Sequence, residues 1–370
     1  QELVKAITVQ DPTHICLSNK SFDNAAAEKI AAYLSSLENV TVADISDIIA
    51  GRPEDEALRT LKIICSSLKK FNLVEVNLSD NALGAKGVEV CKDVLLGDTL
   101  ERLFVCNNGL SAEAGELLAK ILLREEDSAT ADTTTSTSKC PRLQLLHFYN
   151  NMSGDGGAKA IARIVEACPE LTDFRFSATR STPVGCESIA AALSKLPNLK
   201  RLDVSDNNFK GKAGALLVKA LRKKTQLEYL SLRDDALVMG EEGDESSLFN
   251  ALVESAAAGS PLHHIDLSGN EIDADSAEQL SRALHHLTGV TSLYLDDCEL
   301  TTAGARHIAA AVKKMPNLRT LSLCTCEITA AGAYVLARAV AGLSQFVNLE
   351  LNGNEVCEAG VEAVRAVLQG

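Results

Sequence analysis

A regular spacing of about 28 residues organises this chain and restricts its fold more than any other feature. The pattern Leu-x-Leu-x-x-Asn-x-Leu recurs, and its middle apolar residue, called here the central residue, defines twelve segments. The central residues are Leu17, Ile45, Leu78, Val105, Phe148, Phe176, Val204, Leu232, Leu267, Leu295, Leu323 and Leu351. Seven of the eleven intervals between them have this same repeat length, as from Val204 to Leu232. The longer intervals fit one repeat plus an insertion. The spacing therefore predicts an internal repeat, in which each unit buries its apolar face only against its neighbours.

Every repeat has the same internal order. An alternating run such as residues 202–205 predicts a short strand with its apolar side chains on one face. Three residues after the central residue, most repeats carry an amide or a thiol, which we expect to satisfy backbone groups at a sharp turn. These side chains are Asn81, Asn108, Asn151, Asn207, Asn270, Cys298, Cys326 and Asn354. An Ala- and Leu-rich segment, such as residues 305–314, then predicts a helix.

Strand, turn and helix in this order predict an α/β leucine-rich repeat solenoid, a ribonuclease-inhibitor-like horseshoe with parallel strands on the concave face and helices on the convex face. We expect one domain over residues 1–370, with about twelve repeats of about 28 residues and insertions at about 125–139 and 240–246. Residues 126–138 are rich in Thr and Ser and lack apolar anchors, so we expect them to be weakly ordered.

Composition excludes several functional classes. A net charge of −14, 4% aromatic residues and no Trp argue against a nucleic-acid-binding protein. The sequence contains no uninterrupted run of about 18 apolar residues, so no membrane span is predicted. The eleven cysteines include no CxxC pair and are interpreted as reduced, buried thiols. The histidines are scattered, and no GxSxG, HExxH or glycine-rich phosphate loop occurs, so the chain is not expected to be an enzyme or to hold a cofactor or metal.

The strand positions on either side of the central residues are expected to face solvent. In the first half they include Phe104, His147, Tyr149 and Arg175. Exposed aromatic and arginine side chains are typical anchors of protein interfaces, so this cluster predicts a protein-binding patch. The alternative is that these are scattered exposed residues without a role.

Five segments of the first half carry a family resemblance. They are residues 14–22 (HICLSNKSF), 44–54 (DISDIIAGRPE), 77–84 (NLSDNALG), 146–155 (LHFYNNMSGD) and 174–180 (FRFSATR). With them, the chain resembles the Ran GTPase-activating protein family, and its plant-type members in particular. The second half matches this family only as generic repeats.

The resemblance implies a function in nucleocytoplasmic transport. Such a protein stimulates GTP hydrolysis by the small GTPase Ran without inserting an arginine finger. It orders Ran's switch region so that Ran's own glutamine aligns the attacking water. The partner would be Ran-GTP, alone or with a Ran-binding protein, and Ran would hold both GTP and Mg²⁺. The implied location is the cytoplasm, or the nuclear envelope through a targeting domain that this chain lacks.

The resemblance also implies site residues. The family's key asparagine, immediately before the turn amide of its repeat, corresponds to Asn107, and the arginine of its Gly-Arg loop corresponds to Arg52. The implied partner-binding residues are Asp47, Asp80, Phe104, His147, Tyr149, Asn150 and Arg175.

Two alternatives remain open from the sequence: a repeat scaffold with no effect on GTP hydrolysis, and an enzyme in its own right. For the site, Arg52 could simply pair with Glu54 or Asp55, and Asn107 could be a second turn-satisfying amide. Against the latter, Asn108 already occupies the turn position of that repeat, which predicts that Asn107 faces outward.

Overall fold

The structure is a computed structural model that describes residues 12–125, 142–237 and 247–369. The chain forms two compact units, Gln1–Ser181 and Thr182–Gly370. The segment predicted to be weakly ordered, residues 126–138, and the second predicted insertion, residues 240–246, lie outside the described residues.

The described part of the first unit contains six short strands and six helices, and each strand pairs in parallel with the next one along the chain. The strands are β1 (His14–Cys16), β2 (Val42–Asp44), β3 (Glu75–Asn77), β4 (Arg102–Phe104), β5 (Leu145–His147) and β6 (Asp173–Arg175). The helices are α1 (Asn24–Ser35), α2 (Glu54–Leu68), α3 (Gly84–Val90), α4 (Lys92–Leu95), α5 (Ala112–Leu123) and α6 (Gly154–Ala167).

The described part of the second unit contains six strands and seven helices, again with parallel pairing in chain order. The strands are β7 (Arg201–Asp203), β8 (Tyr229–Ser231), β9 (His264–Asp266), β10 (Ser292–Tyr294), β11 (Thr320–Ser322) and β12 (Asn348–Glu350). The helices are α7 (Pro183–Leu193), α8 (Lys212–Leu221), α9 (Leu248–Ala257), α10 (Ala274–Leu284), α11 (Thr301–Val312), α12 (Ala330–Val340) and α13 (Glu358–Gln369).

Strand register confirms the repeat alignment. His14 lies opposite Val42, and Ser292 lies opposite Thr320, in each case one uninterrupted repeat further along the chain. The central residues are buried in both units, except Leu351 in the last repeat, which is half-buried because no described repeat follows it. The α/β leucine-rich repeat fold is therefore confirmed within each unit, whereas a single domain over residues 1–370 stays a prediction.

Side-chain caps begin many of the helices. Asp23 accepts a hydrogen bond from the backbone N–H of Ala26 at the start of α1, and Ser111 accepts one from Ala114 at the start of α5. Such caps satisfy N–H groups that have no partner within the helix. Small residues then allow close helix packing: a Cβ atom on Gly115 of α5 would lie 3.2 Å from the Cα atom of Gly157 in α6.

The residues three positions after the central residues form an amide ladder, as predicted. The Nδ2 of Asn81 donates to the carbonyl oxygens of Ile45 and Leu78, and its Oδ1 accepts from the N–H of Ile48. The buried Sγ of Cys326 lies 3.0 Å from the carbonyl oxygen of Leu295. The ladder therefore joins successive repeats through groups that the turn leaves unpaired.

The residue two positions after each central residue adopts the left-handed backbone conformation, with φ between 49° and 73°. This left-handed row comprises Asn19, Asp47, Asp80, Asn107, Asn150, Ala178, Asp206, Asp234, Gly269, Asp297, Thr325 and Gly353. Gly, Asn and Asp tolerate positive φ best, which explains why they fill ten of these twelve positions. The row was not predicted from the sequence, although its period was visible there.

Candidate functional site

Asn107 lies in a chain of hydrogen bonds that crosses three repeats of the first unit. Its Nδ2 donates to the Oδ1 of Asp80, and its Oδ1 accepts from the Nδ2 of Asn150, both at 2.8 Å. All three residues are exposed and belong to the left-handed row. Asn107 faces outward as predicted, but both ends of its amide are held by neighbours.

The adjacent Asn108 has a separate, internal task. It is buried, and its Nδ2 donates to the carbonyl oxygen of Leu78. Its Oδ1 accepts from the backbone N–H of Asn81, and its own N–H donates to the Oδ1 of Asn151. Asn108 is therefore the ladder amide of its repeat, and Asn107 is not a second one.

A groove of about 770 Å³ adjoins Asp80. Its lining combines apolar side chains, among them Ile49, Leu61 and Leu83, with charged side chains that include Arg52 and Asp80. Asp80 lines the groove together with Arg52 and also bonds to Asn107, so the groove and the hydrogen-bonded chain adjoin on the first unit. We call Arg52, Asp80, Asn107 and Asn150 the rim strip.

Arg52 is held in place by its own surroundings. Its Nε lies 3.0 Å from the Oγ of Ser21, and one terminal nitrogen lies 3.2 Å from the carbonyl oxygen of Ser21. The other terminal nitrogen is 3.7 Å from the carboxylate of Glu56. The alternative partner Glu54 instead pairs with Lys86. Arg52 therefore joins the first two repeats through Ser21 and also makes a local ion pair, which is with Glu56 rather than with Glu54 or Asp55.

The predicted aromatic and basic patch is only partly exposed. Tyr149 is 39% exposed, while Phe104 and Arg175 are half-buried. His147 is only 7% exposed, because its Nε2 lies 3.0 Å from the Oδ1 of Asp173 and its ring packs edge-on against Phe104. The expectation that His147 faces solvent is therefore wrong.

Tyr149 offers a protonated hydroxyl at the edge of this patch. A phenol of ordinary pKa, about 10, is protonated at neutral pH and can donate a hydrogen bond. The neighbouring Cys106 sulfur, followed by burial, raises the pKa of Tyr149 further. Asp47, the remaining predicted contact residue, is half-buried and occupies the left-handed row one repeat before Asp80.

The described residues offer no metal cluster and no membrane-spanning helix. No group of three or more His, Cys, Asp or Glu residues within the described ranges could hold a metal ion. None of the described helices is both long enough and apolar enough to cross a membrane. The described cysteines are all free thiols: seven are buried, Cys324 is half-buried, and Cys16 and Cys357 are exposed.

Comparison with known proteins supports the repeat assignment. A family profile described as "Leucine Rich repeat" matches residues 69–90, 195–218 and 260–281. The chain is 28% identical over 239 residues to the ribonuclease inhibitor of Sus scrofa, an alignment that covers 63% of this chain and 47% of that protein.

Two further relatives carry a functional name. The chain is 28% identical over 275 residues to Ran GTPase-activating protein 1 of Saccharomyces cerevisiae, which covers 72% of this chain and 65% of that protein. It is 42% identical over 95 residues to RAN GTPase-activating protein 1 of Arabidopsis thaliana, which covers 25% of this chain and 18% of that protein. The chain thus spans less than two thirds of the length of these relatives. It carries leucine-rich repeats and is similar to proteins named Ran GTPase-activating proteins.

Proposed function

We propose that this chain is a GTPase-activating protein for Ran. The observation that carries the proposal is the exposed amide of Asn107, held between Asp80 and Asn150 next to a groove that Arg52 lines. The similarity to relatives named Ran GTPase-activating proteins supports it. In this proposal Ran binds GTP and Mg²⁺ and carries out the hydrolysis, and the chain needs no cofactor of its own.

Phosphoryl transfer depends on positioning and electrostatic stabilisation more than on covalent help from the protein. Asn107 is suited to positioning because its backbone is fixed by the turn and its amide by two hydrogen bonds. A group that is already oriented loses little entropy when the partner binds. We assign to Asn107 the ordering of Ran's switch region, so that Ran's own glutamine aligns the attacking water.

Arg52 is assigned to binding rather than to an inserted arginine finger. Its guanidinium contacts Ser21 of the first repeat and Glu56 of its own repeat, so insertion into a partner's nucleotide site would break both interactions. This geometry fits a mechanism without an arginine finger. Loss of Arg52 would then disturb the groove and weaken binding of Ran.

The remaining contacts extend along the same unit. We propose that Tyr149, Phe104 and Arg175 touch the partner beside the rim strip, and that Asp47 extends the contact toward the first repeat. His147 supports Phe104 from below instead of touching the partner, since its ring is buried. Ran-GTP, alone or with a Ran-binding protein, is the proposed partner, and nucleocytoplasmic transport in the cytoplasm or at the nuclear envelope is the proposed setting.

Single-turnover GTP hydrolysis by Ran, with and without the chain, tests the proposal. We expect strong stimulation by the wild type, and a loss of about 100-fold or more in Asn107→Ala at saturating concentration, as when an enzyme loses one key polar group. Alanine fits the backbone there, because Ala178 already adopts φ 51° in the left-handed row. Arg52→Ala should mainly raise the concentration that gives half-maximal stimulation.

The matched control is Asp206→Ala, which places alanine in the left-handed row of the second unit. It should stimulate like the wild type. Full stimulation by a normally folded Asn107→Ala would contradict the role of that residue. Binding of Ran without any stimulation by the wild type would favour a repeat scaffold, the alternative that similarity to ribonuclease inhibitor supports.

A further inference from the structure

Asp80 stands in an unusual relation to Asn107. The two residues are 27 positions apart, occupy the same place in consecutive repeats, and are joined by one hydrogen bond of 2.8 Å. Asp80 is also the only acidic member of the three-residue chain Asp80, Asn107 and Asn150. Its charge therefore distinguishes the two ends of that chain.

An amide side chain is nearly symmetric in shape, and turning it over exchanges a donor for an acceptor. A carboxylate can only accept, so Asp80 requires that the Nδ2 of Asn107 face the third repeat. The Oδ1 of Asn107 must then face the fifth repeat, where the Nδ2 of Asn150 donates to it. Hydrogen bonds to charged groups are the stronger ones, so the carboxylate sets the orientation of the whole chain.

The second unit shows that the fold does not require such links. There the left-handed row places Asp206 directly before Asp234, two acceptors that cannot bond to each other. Asp234 instead pairs with Arg233, at 3.1 Å. Among the described residues of that unit, no side chain of the row hydrogen-bonds to the next one. The linked arrangement is thus a property of the first unit's side chains and not of the repeat.

We propose that Asp80 and Asn150 are positioning residues that hold the Asn107 amide in one orientation, with Nδ2 toward Asp80 and Oδ1 toward Asn150. Asn107 then presents a second Nδ2 hydrogen and a second Oδ1 lone pair, in a constant arrangement, to a bound partner. This inference rests on the proposed function for its consequence in catalysis. The orientation itself does not depend on Ran.

Asp80→Gly removes the carboxylate without straining the backbone, because Gly269 and Gly353 already occupy this position in other repeats. We expect the maximal rate of Ran-GTP hydrolysis at saturating chain to fall by about tenfold, the size expected for one lost charge-assisted hydrogen bond. The concentration for half-maximal stimulation should change by less than about twofold. Asp80→Asn should recover only part of the rate, since its Oδ1 can still accept but its Nδ2 can also donate, so that it no longer fixes the amide. The control Asp206→Gly should match the wild type.

A second measurement follows the amide without Ran. In ¹⁵N-labelled full-length chain, the side-chain NH₂ signals of Asn107, assigned by their loss in Asn107→Ala, should shift in Asp80→Gly and stay unchanged in Asp206→Gly. Unchanged signals in Asp80→Gly would overturn the inference. A wild-type maximal rate in Asp80→Gly would also overturn it. A change only in the concentration for half-maximal stimulation would overturn it too, because Asp80 would then be a contact residue. If the signals shift but the wild type does not stimulate Ran, the orientation stands and the proposed function fails.

Discussion

The two units build the same repeat with different side chains. In the first unit the ladder positions of three consecutive repeats hold Asn81, Asn108 and Asn151. In the second unit the asparagines at these positions, Asn207, Asn270 and Asn354, alternate with Asp235 or with the thiols Cys298 and Cys326. The backbone therefore tolerates several solutions at the turn. The units differ instead in the left-handed row, whose side chains are hydrogen-bonded to one another only in the first of the two described units.

The strand faces of the units also differ in their aromatic side chains. The second unit carries Asp203, Asp266, Asp296 and Glu350 beside a stack of Tyr229 on His264, with ring centroids 4.2 Å apart. Burial, followed by the charges of His263 and Arg201, lowers the pKa of His264 to about 4, so its ring is neutral at physiological pH. The first unit places Phe104 and Tyr149 beside Arg175 instead, and its strands carry the acids Asp44, Glu75 and Asp173. The two faces therefore differ in the aromatic side chains that they offer rather than in carrying acids.

The largest expected effect separates the two neighbouring asparagines of the fourth repeat. Asn108→Ala should reduce the free energy of unfolding by about 2 to 3 kcal/mol, because the buried N–H of Asn81 loses its partner and the carbonyl of Leu78 keeps only the bond from Asn81. Asn107→Ala should leave stability within about 1 kcal/mol, since water can replace its exposed bonds. Chemical denaturation measures the free energy of unfolding of both variants. Equal losses of stability would contradict the separate roles of Asn108 in the ladder and Asn107 at the surface.

Asp235 offers a way to make the second unit more like the first. It is fully buried at a ladder position, its Oδ1 accepts from the N–H of Asn207, and its Oδ2 has no partner. Burial, with smaller contributions from Asp203, Asp234 and Asp206, raises the pKa of Asp235 well above its usual range. Asn at this position would donate where the carboxyl oxygen is now unpaired, as Asn270 donates to Leu232.

We therefore expect Asp235→Asn to stabilise the chain at neutral pH. The folded pKa of Asp235 is raised, so the carboxyl group is protonated in both states below its unfolded pKa of about 4, and its effect on stability does not change there. Above that pH, the free energy of unfolding falls by about 1.4 kcal/mol per pH unit until the folded pKa is reached. The advantage of Asp235→Asn should grow from pH 4 toward pH 7 in denaturation measurements. A gain independent of pH would show that the pKa of Asp235 is not raised by folding.

A pair of lysines gives a smaller contrast between the units. Lys224 is buried and donates to the carbonyl oxygens of Leu193 and Leu196, and burial lowers its pKa to about 8. Lys70 makes equivalent bonds to Ser35 and Leu37 but is exposed. Lys224→Met should cost about 1 to 3 kcal/mol, and Lys70→Met less than about 1 kcal/mol, because water reaches the second pair of carbonyls. Melting curves of the two variants test the difference.

The smallest effect concerns long-range charge. With a net charge of −14, the chain should associate faster with a basic surface of Ran at low ionic strength. Raising the salt from about 0.01 to 0.15 M should lower the association rate several-fold. Neutralising Asp206 and Asp297 in the second unit should reduce that salt dependence without changing the maximal stimulated rate. Stopped-flow measurements of the association rate at two salt concentrations test this prediction. An association rate that does not depend on salt would exclude electrostatic steering.

Local periodicity made the fold predictable. Buried central residues at a regular spacing, an amide or thiol three residues later, and an Ala-rich helix are short-range patterns, and the structure bears them out in both units. The left-handed row was equally accessible, since Asp80, Asn107 and Asn150 follow their central residues at constant distance and belong to the types that tolerate positive φ.

By itself, then, the sequence determined the repeat, its register and the outward position of Asn107. Only the tertiary structure decided which side chains meet: Asn107 with Asp80 and Asn150, Arg52 with Ser21 rather than with Glu54, and His147 with Asp173 in a buried pair. These contacts join residues 26 to 43 positions apart. A periodic pattern states which positions are equivalent. Whether two side chains at equivalent positions bond depends on donors, acceptors and space, which exist only once the repeats are stacked.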